Sequence, residues 1–237
     1  MGDGLDDQVA ASRNWSQPRW WVIAAIASLA GISALAAGAR IYRVRAAVAS
    51  VERFGGFVAA STHNVHPLRR LFGRKHLGIA DGPSVVDLRN TGISDTELRV
   101  LIADLRQFER VFAIKLQDAK ISDEGLGMLT EFTELRALDL SNVSVTDAGL
   151  EQLQQLPELR RLNLDGTQIT GAGLIHLVRL GRLEQLSLDG TEVDDDGIQP
   201  LARLATLRDL SLSNTDVTEA GVSSITTALP ALDVTDD

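Results

Sequence analysis

Leu135–Glu158 reads LRALDLSNVSVTDAGLEQLQQLPE, and Leu159–Arg182 follows it column for column as LRRLNLDGTQITGAGLIHLVRLGR. The same 24-residue frame fits the copies that start at Val111, Leu183 and Leu207. Their shared wording is L-x-x-L-x-L-x-x-T-x-[VI]-T-D-x-G-L-x-x-L-x-x-L-x-x. A sixth copy starts near Pro83, with Val86, Leu88, Thr91, Ile93, Ser94, Asp95, Leu98 and Leu101 in the same columns, and runs about four residues longer. Self-similarity at a period of this size marks an array of stacked units.

Each column has a physical meaning. The L-x-x-L-x-L segment alternates like a short strand, with Leu162 and Leu164 to one side and Asn163 to the other. The ninth column is small or polar where the chain leaves the strand (Thr91, Thr167, Thr191, Thr215). The twelfth is mostly hydroxylated (Ser94, Ser122, Thr146, Thr170, Thr218) and usually precedes an acidic residue, which signals a helix start. Ser94-Asp95-Thr96-Glu97 is a capping box. Leucines spaced three apart, as in Leu150, Leu153 and Leu156, then give one buried helical stripe. The glycine column (Gly125, Gly149, Gly173, Gly197, Gly221) suits close packing at the helix start. No single unit can bury its leucines, but a stack of them can. The expected fold class is α/β: a solenoid with short parallel strands on a concave face and helices on a convex face.

These columns resemble the cysteine-containing subclass of leucine-rich repeats, without the cysteine. The T-x-[VI]-T-D-x-G-L wording is also similar to leucine-rich repeat proteins of planctomycete-type bacteria. There a single hydrophobic helix commonly precedes an arginine-rich stretch and a Gly-Gly segment. The same order occurs here as Arg40-Ile-Tyr-Arg-Val-Arg45 and Gly55-Gly56. The resemblance covers about residues 20–230 and implies a binding scaffold, leaving the partner unnamed.

Outside the array the chain changes character. Residues 1–82 hold 10 Lys and Arg against 5 Asp and Glu, and residues 83–237 hold 13 against 27. Trp20–Ala39 is a run of twenty residues without a charge, enough for roughly 30 Å of helix. Arg19 precedes it, and Arg40, Arg43 and Arg45 follow it. It reads as a single transmembrane helix, with a cleaved signal peptide as the alternative, because Ala37-Gly38-Ala39 fits a cleavage pattern. Arginine counts favour a cytoplasmic side for the repeats by a margin of two residues. The expected location is a bacterial inner membrane.

The expected organisation is then an N-terminal tail (1–19), a transmembrane helix (20–39), a juxtamembrane helix and N-terminal cap (40–82), six repeats (83–230) and an acidic C-terminal tail (231–237). In the cap, Ala46, Ala47, Val48 and Val51 form an expected apolar helix face and Phe57–Ala60 a short strand. Pro67–Gly73 is expected to cover the first repeat. Arg69, Arg70, Arg74 and Lys75 there either are solvated or meet anionic lipid.

The sequence offers little for catalysis. It has no cysteine, which excludes disulfides, thiolate metal sites and cysteine nucleophiles. No hydrolase elbow, phosphate loop or zinc-protease motif occurs. His63, His66 and His76 lie near each other and His63-x-x-His66 could share one turn, but no strong third ligand of fitting spacing stands out, and Asp194-Asp195-Asp196 sits at a helix start that favours acids anyway. The chain therefore reads as non-enzymatic and without a cofactor. Its net charge of -9 argues against nucleic acid.

Binding is expected on the open strand positions. By register these are Arg89, Phe112, Lys115, Gln117, Arg136, Asp139, Arg160, Asn163, Asp165, Glu184, Asp189 and Arg208, with Asp87, Ser141, Ser187 and Ser211 on the same face. Their mixed charge suits a protein or peptide ligand steered electrostatically. Phe112 is the one large apolar side chain among them and the expected hot spot. Two other roles fit the repeats: an F-box-like adaptor recruiting substrates to a ubiquitin ligase, and a structural envelope or scaffold protein. The oligomeric state is left open.

Overall fold

A computed structural model describes residues 38–60, 84–108 and 110–236. Eight short strands lie side by side in chain order: β1 (Phe57–Ala60), β2 (Ser84–Asp87), β3 (Val111–Lys115), β4 (Ala137–Asp139), β5 (Arg161–Asn163), β6 (Gln185–Ser187), β7 (Asp209–Ser211) and β8 (Asp233–Thr235). β1 pairs antiparallel with β2, and all later neighbours are parallel. Leu138, Leu162, Leu186 and Leu210 stand in one row of the register, one repeat apart. This alignment of identical columns makes the core continuous. Leu135, Leu140, Leu150, Leu153 and Leu156 are fully buried, and so are most of their equivalents along the array, with Phe132 and Val222 partly buried against the same core. Burying one such leucine contributes roughly 1.5–3 kcal/mol, so the stack rests on aliphatic columns shared between neighbours.

The turn out of each strand has a fixed backbone requirement. Asn90, Asp118, Asn142, Gly166, Gly190 and Asn214 hold one column, and all have φ between 54° and 66°. Asn, Asp and Gly are the residues that tolerate this left-handed conformation. One residue later, the Thr91, Thr167, Thr191 and Thr215 hydroxyls donate to the carbonyls of Leu88, Leu164, Leu188 and Leu212. A buried hydroxyl is thereby satisfied in each repeat that carries one.

Helix character varies along the array. The long first copy has room for an eleven-residue α-helix, Asp95–Leu105, which carries the capping box at Ser94. The copies at Val111 and Leu207 also carry α-helices, Asp123–Leu129 and Glu219–Ala228, whereas the three between them use short α-turns that continue as 3-10 helix, at Glu151–Gln155 and Gln199–Arg203, or 3-10 helix alone, at Gly171–Arg179. The 3-10 form advances further per residue and suits a short path back to the next strand.

The helix ahead of the array runs through residue 53 and ends at Gly55, in the left-handed conformation. Its buried side chains are Val44, Ala47, Ser50 and Val51, whereas Ala46 is exposed. The expected apolar face is thus rotated, because spacings of three and four run from Val44. The Ser50 hydroxyl donates to the Asp104 carboxylate at 2.5 Å, which ties this helix to the first repeat. The C-terminus also needs correction. Residues 231–237 were expected as an acidic tail, yet Asp233–Thr235 adds the eighth strand, with Val234 beside Leu210. Leu229 and Leu232 are buried beneath it.

The expected tail 1–19, the transmembrane helix or signal peptide at 20–39 (save Gly38 and Ala39), the cap at Pro67–Gly73 with its basic residues, and the three N-terminal histidines lie outside the described residues. Among the described residues no helix is long and apolar enough to cross a membrane.

Candidate functional site

The sheet has one buried face and one open face. On β4 to β7 the central leucine points into the core, so the flanking residues point out. The outward side chains line a groove of about 320 Å³ that runs across the strands from β3 to β8. Two rows form its floor. One is Ala113, Ala137, Arg161, Gln185, Asp209 and Asp233; the other is Lys115, Asp139, Asn163, Ser187, Ser211 and Thr235.

Of the residues expected there, Lys115, Asp139, Asn163, Ser187 and Ser211 line the groove. Phe112, Arg136, Arg160, Glu184 and Arg208 do not. They form a separate ladder, with Phe112 inside β3 and the other four just before β4 to β7. The Arg136 guanidinium stacks 4.4 Å above the Phe112 ring, Arg160 pairs with Glu184 at 2.5 Å, and Arg208 donates to the Ala205 and Leu207 carbonyls. Phe112, expected as the free hot spot, is half-buried with one ring face covered. The cause is a local irregularity. The amides of Arg160 and Arg161 both donate to the Arg136 carbonyl, and those of Glu184 and Gln185 both donate to Arg160. One carbonyl thus serves two successive amides, and the strand alternation restarts after the ladder.

That restart also explains the missed row. Arg161, Gln185 and Asp209 share the open face with Asn163, Ser187 and Ser211, two residues away in each strand. Counting one step back from the central leucine finds them; counting forward from the first leucine of the repeat does not.

The last set of expected residues is engaged within the sheet. Asp87 is nearly buried, and Arg89 grips both of its carboxylate oxygens at 2.8–3.1 Å. Burial opposes the charge, but the Arg89 hydrogen bonds and charge, with Lys115 nearby, hold the Asp87 carboxyl below its ordinary value. Gln117 is half-buried beside the groove. Asp165 accepts from the Ser187 hydroxyl and the Asp189 amide, and Asp189 accepts from the Ser213 amide. Ser141 donates to Asp139 at 2.8 Å. The Asp165 and Asp189 bonds fasten neighbouring repeats, whereas the Asp87–Arg89 and Asp139–Ser141 pairs stay within one repeat.

A second constellation lies at the helix starts. The Asp95, Asp123, Asp147 and Asp195 carboxylates each accept from the backbone amide and the hydroxyl of the cap residue one repeat later. Those caps are Ser122, Thr146, Thr170 and Thr218, at 2.6–3.0 Å. The acids expected to serve their own helix dipole therefore clamp the next repeat. The glycine column makes room for them: a Cβ on Gly125, Gly149, Gly173 or Gly221 would lie 2.1–2.3 Å from the clamping oxygen. Among the described residues no group of three metal-binding side chains comes together.

Residues 155–178 match the family model described as Leucine Rich repeat. No curated protein matches the chain. Solved structures with a similar course include internalin C2 of Listeria monocytogenes, at 25% identity and TM-score 0.47, covering 58% of this chain and 55% of that one. A leucine-rich repeat protein of Leptospira interrogans follows at 17% and 0.42, covering 56% and 32%. A second Listeria internalin, inlF, stands at 21% and 0.38, covering 58% and 50%. The chain spans about half the length of these internalins and a third of the Leptospira protein. The matched repeat and the chain's own parallel register make this an α/β fold of the leucine-rich repeat kind.

Proposed function

We propose that the chain is a non-enzymatic interaction module that binds a protein or peptide partner on the open face of its sheet. A membrane tether at residues 20–39 holds the array at a bacterial inner membrane. The observation that carries this reading is the contrast between columns. Core, turn and helix-start positions keep one chemistry along the array, whereas the groove-lining positions run Ala, Ala, Arg, Gln, Asp, Asp in one row and Lys, Asp, Asn, Ser, Ser, Thr in the other. Packing does not require that variety, and a continuous polar strip on a rigid support is suited to recognition. The uncharged run flanked by Arg19 and Arg40 supports the tether, and its place before an arginine-rich stretch and Gly55-Gly56 supports a membrane-anchored bacterial repeat protein.

Photo-crosslinking in cells tests this. A photoreactive residue at Asn163 should give a defined adduct that disappears when Ala137→Trp fills the neighbouring floor. One at the exposed Ile175 on the helix side should give none. Adducts formed only from Ile175, or an Asn163 adduct indifferent to the filled groove, would place the working surface elsewhere.

A further inference from the structure

The groove is electrically ordered, and that order describes its ligand. Arg161 is the decisive residue. Its neighbours in the ladder are occupied: Arg160 by Glu184, Arg136 by Phe112 and Arg208 by two carbonyls. Arg161 is exposed on β5, and its guanidinium makes no hydrogen bond or ion pair among the described residues. Beside it, in register, lies Ala137, and beyond that Ala113, so among the described residues no large side chain of that row fills the space over the sheet on that side. On the other side Gln185 turns its amide to Asp209, at 2.9 Å. Asp139, on the neighbouring strand, accepts from Ser141 instead of meeting Arg161. A cation left unpaired over an alanine floor is a prepared seat for an anion.

The far end carries the opposite sign. Asp209 and Asp233 are exposed neighbours in the same row and form no ion pair among the described residues. Strands lie about 4.8 Å apart, so Asp209 stands about 10 Å and Asp233 about 14 Å from Arg161 along the row. An extended chain advances about 3.3 Å per residue and covers those intervals in about three and four residues.

The geometry points to an extended segment of a protein partner lying across the strands, with a carboxylate on Arg161 and a Lys or Arg three to four residues away on Asp209 and Asp233. This rests on the open face being the binding surface. A polyanion such as nucleic acid is disfavoured, since Asp209 and Asp233 would repel its continuation. The alanine floor allows the segment's backbone to approach closely, and the two charges fix its direction.

Selection of random linear peptides on the immobilised full chain tests the assignment. Peptides whose binding is lost with Ala137→Trp, or with Ser187→Trp as a second filling variant, should be enriched in an acidic residue three or four positions from a basic one. Arg161→Glu should weaken them by roughly tenfold, and replacing the peptide's acid with Lys should restore binding to that variant. Groove-dependent peptides without this pattern, or pattern-bearing peptides not rescued by the charge swap, overturn the charge order and leave the open face standing. Selection that yields no groove-dependent peptide overturns the open face and the charge order together.

Discussion

The helix-start edge and the strand face of this array are built from the same repeats, yet they follow opposite rules. Along the helix starts one solution recurs: an aspartate holds the amide and hydroxyl of the next cap, and a glycine makes way for it. Along the strand face no two neighbouring strands carry the same pair of outward residues. The regular edge does a job that every junction needs, because each cap has an orphan amide to satisfy. The variable face has no such task. The one break in the regular edge supports this account. Gly171 stands where the clamping acid belongs, and the next cap is Asp194, which accepts from the Gly197 amide of its own helix and offers no hydroxyl to hold. A carboxylate at 171 would face that carboxylate, so the two departures occur together. At this junction the backbones close directly, with a Cβ on Gly171 only 2.4 Å from the Gly197 Cα.

The largest effect should come from forcing the edge apart. Gly173→Ala places a Cβ 2.3 Å from the Asp147 carboxylate and 3.0 Å from its Cα, so the clamp on Thr170 must open and the backbones must shift. Overpacking of this kind should cost about 3 kcal/mol, read as a lower urea midpoint. Asp147→Ala strands the Thr170 amide and hydroxyl and should cost about 2 kcal/mol. The double variant should cost less than the two together, because removing the carboxylate removes part of the clash. Strict additivity would show that glycine and acid are not paired for the reason given.

Much of this edge was legible from sequence, but its direction was not. A hydroxyl followed by an acid announces a helix start, and all the helix starts are present. That the acid serves the following repeat is a contact 23 to 27 residues away in the chain, and local capping chemistry accounts for the same letters. The left-handed column of Asn, Asp and Gly is equally visible in the sequence as a turn requirement. The groove's alternating row was hidden by a shared carbonyl before β5, β6 and β7, which no pattern of apolar residues reports. β8 was masked by its own polarity: Asp-Val-Thr offers one apolar residue, and it becomes a strand because β7 supplies an edge to pair with.

Acid should loosen the regular edge next. Hydrogen bonds from the Thr218 amide and hydroxyl hold the Asp195 carboxyl below 3.8 in the folded chain. The unfolded chain therefore takes up the proton first. The stabilisation is complete above that value and is withdrawn as pH falls from there through the lower folded value. Thermal melts below pH 4 should show a shallower loss in Asp195→Asn than in the wild type. Equal slopes would mean that the clamp contributes nothing through its charge.

The smallest effect belongs to the open face. Arg161→Glu changes the charge at the centre of the groove by two, yet Arg161 has no partner among the described residues to lose. Its replacement meets Ala137 on one side and a Gln185 already bonded to Asp209 on the other. An exposed side chain of this kind should alter stability by no more than about 0.5 kcal/mol. The urea midpoint of Arg161→Glu should thus match that of the wild type, while the same change alters which peptides bind. A loss comparable to that of Asp147→Ala would show Arg161 to be part of the scaffold. The distinction between a face free to vary and an edge bound to repeat would then fail at the residue where it is sharpest.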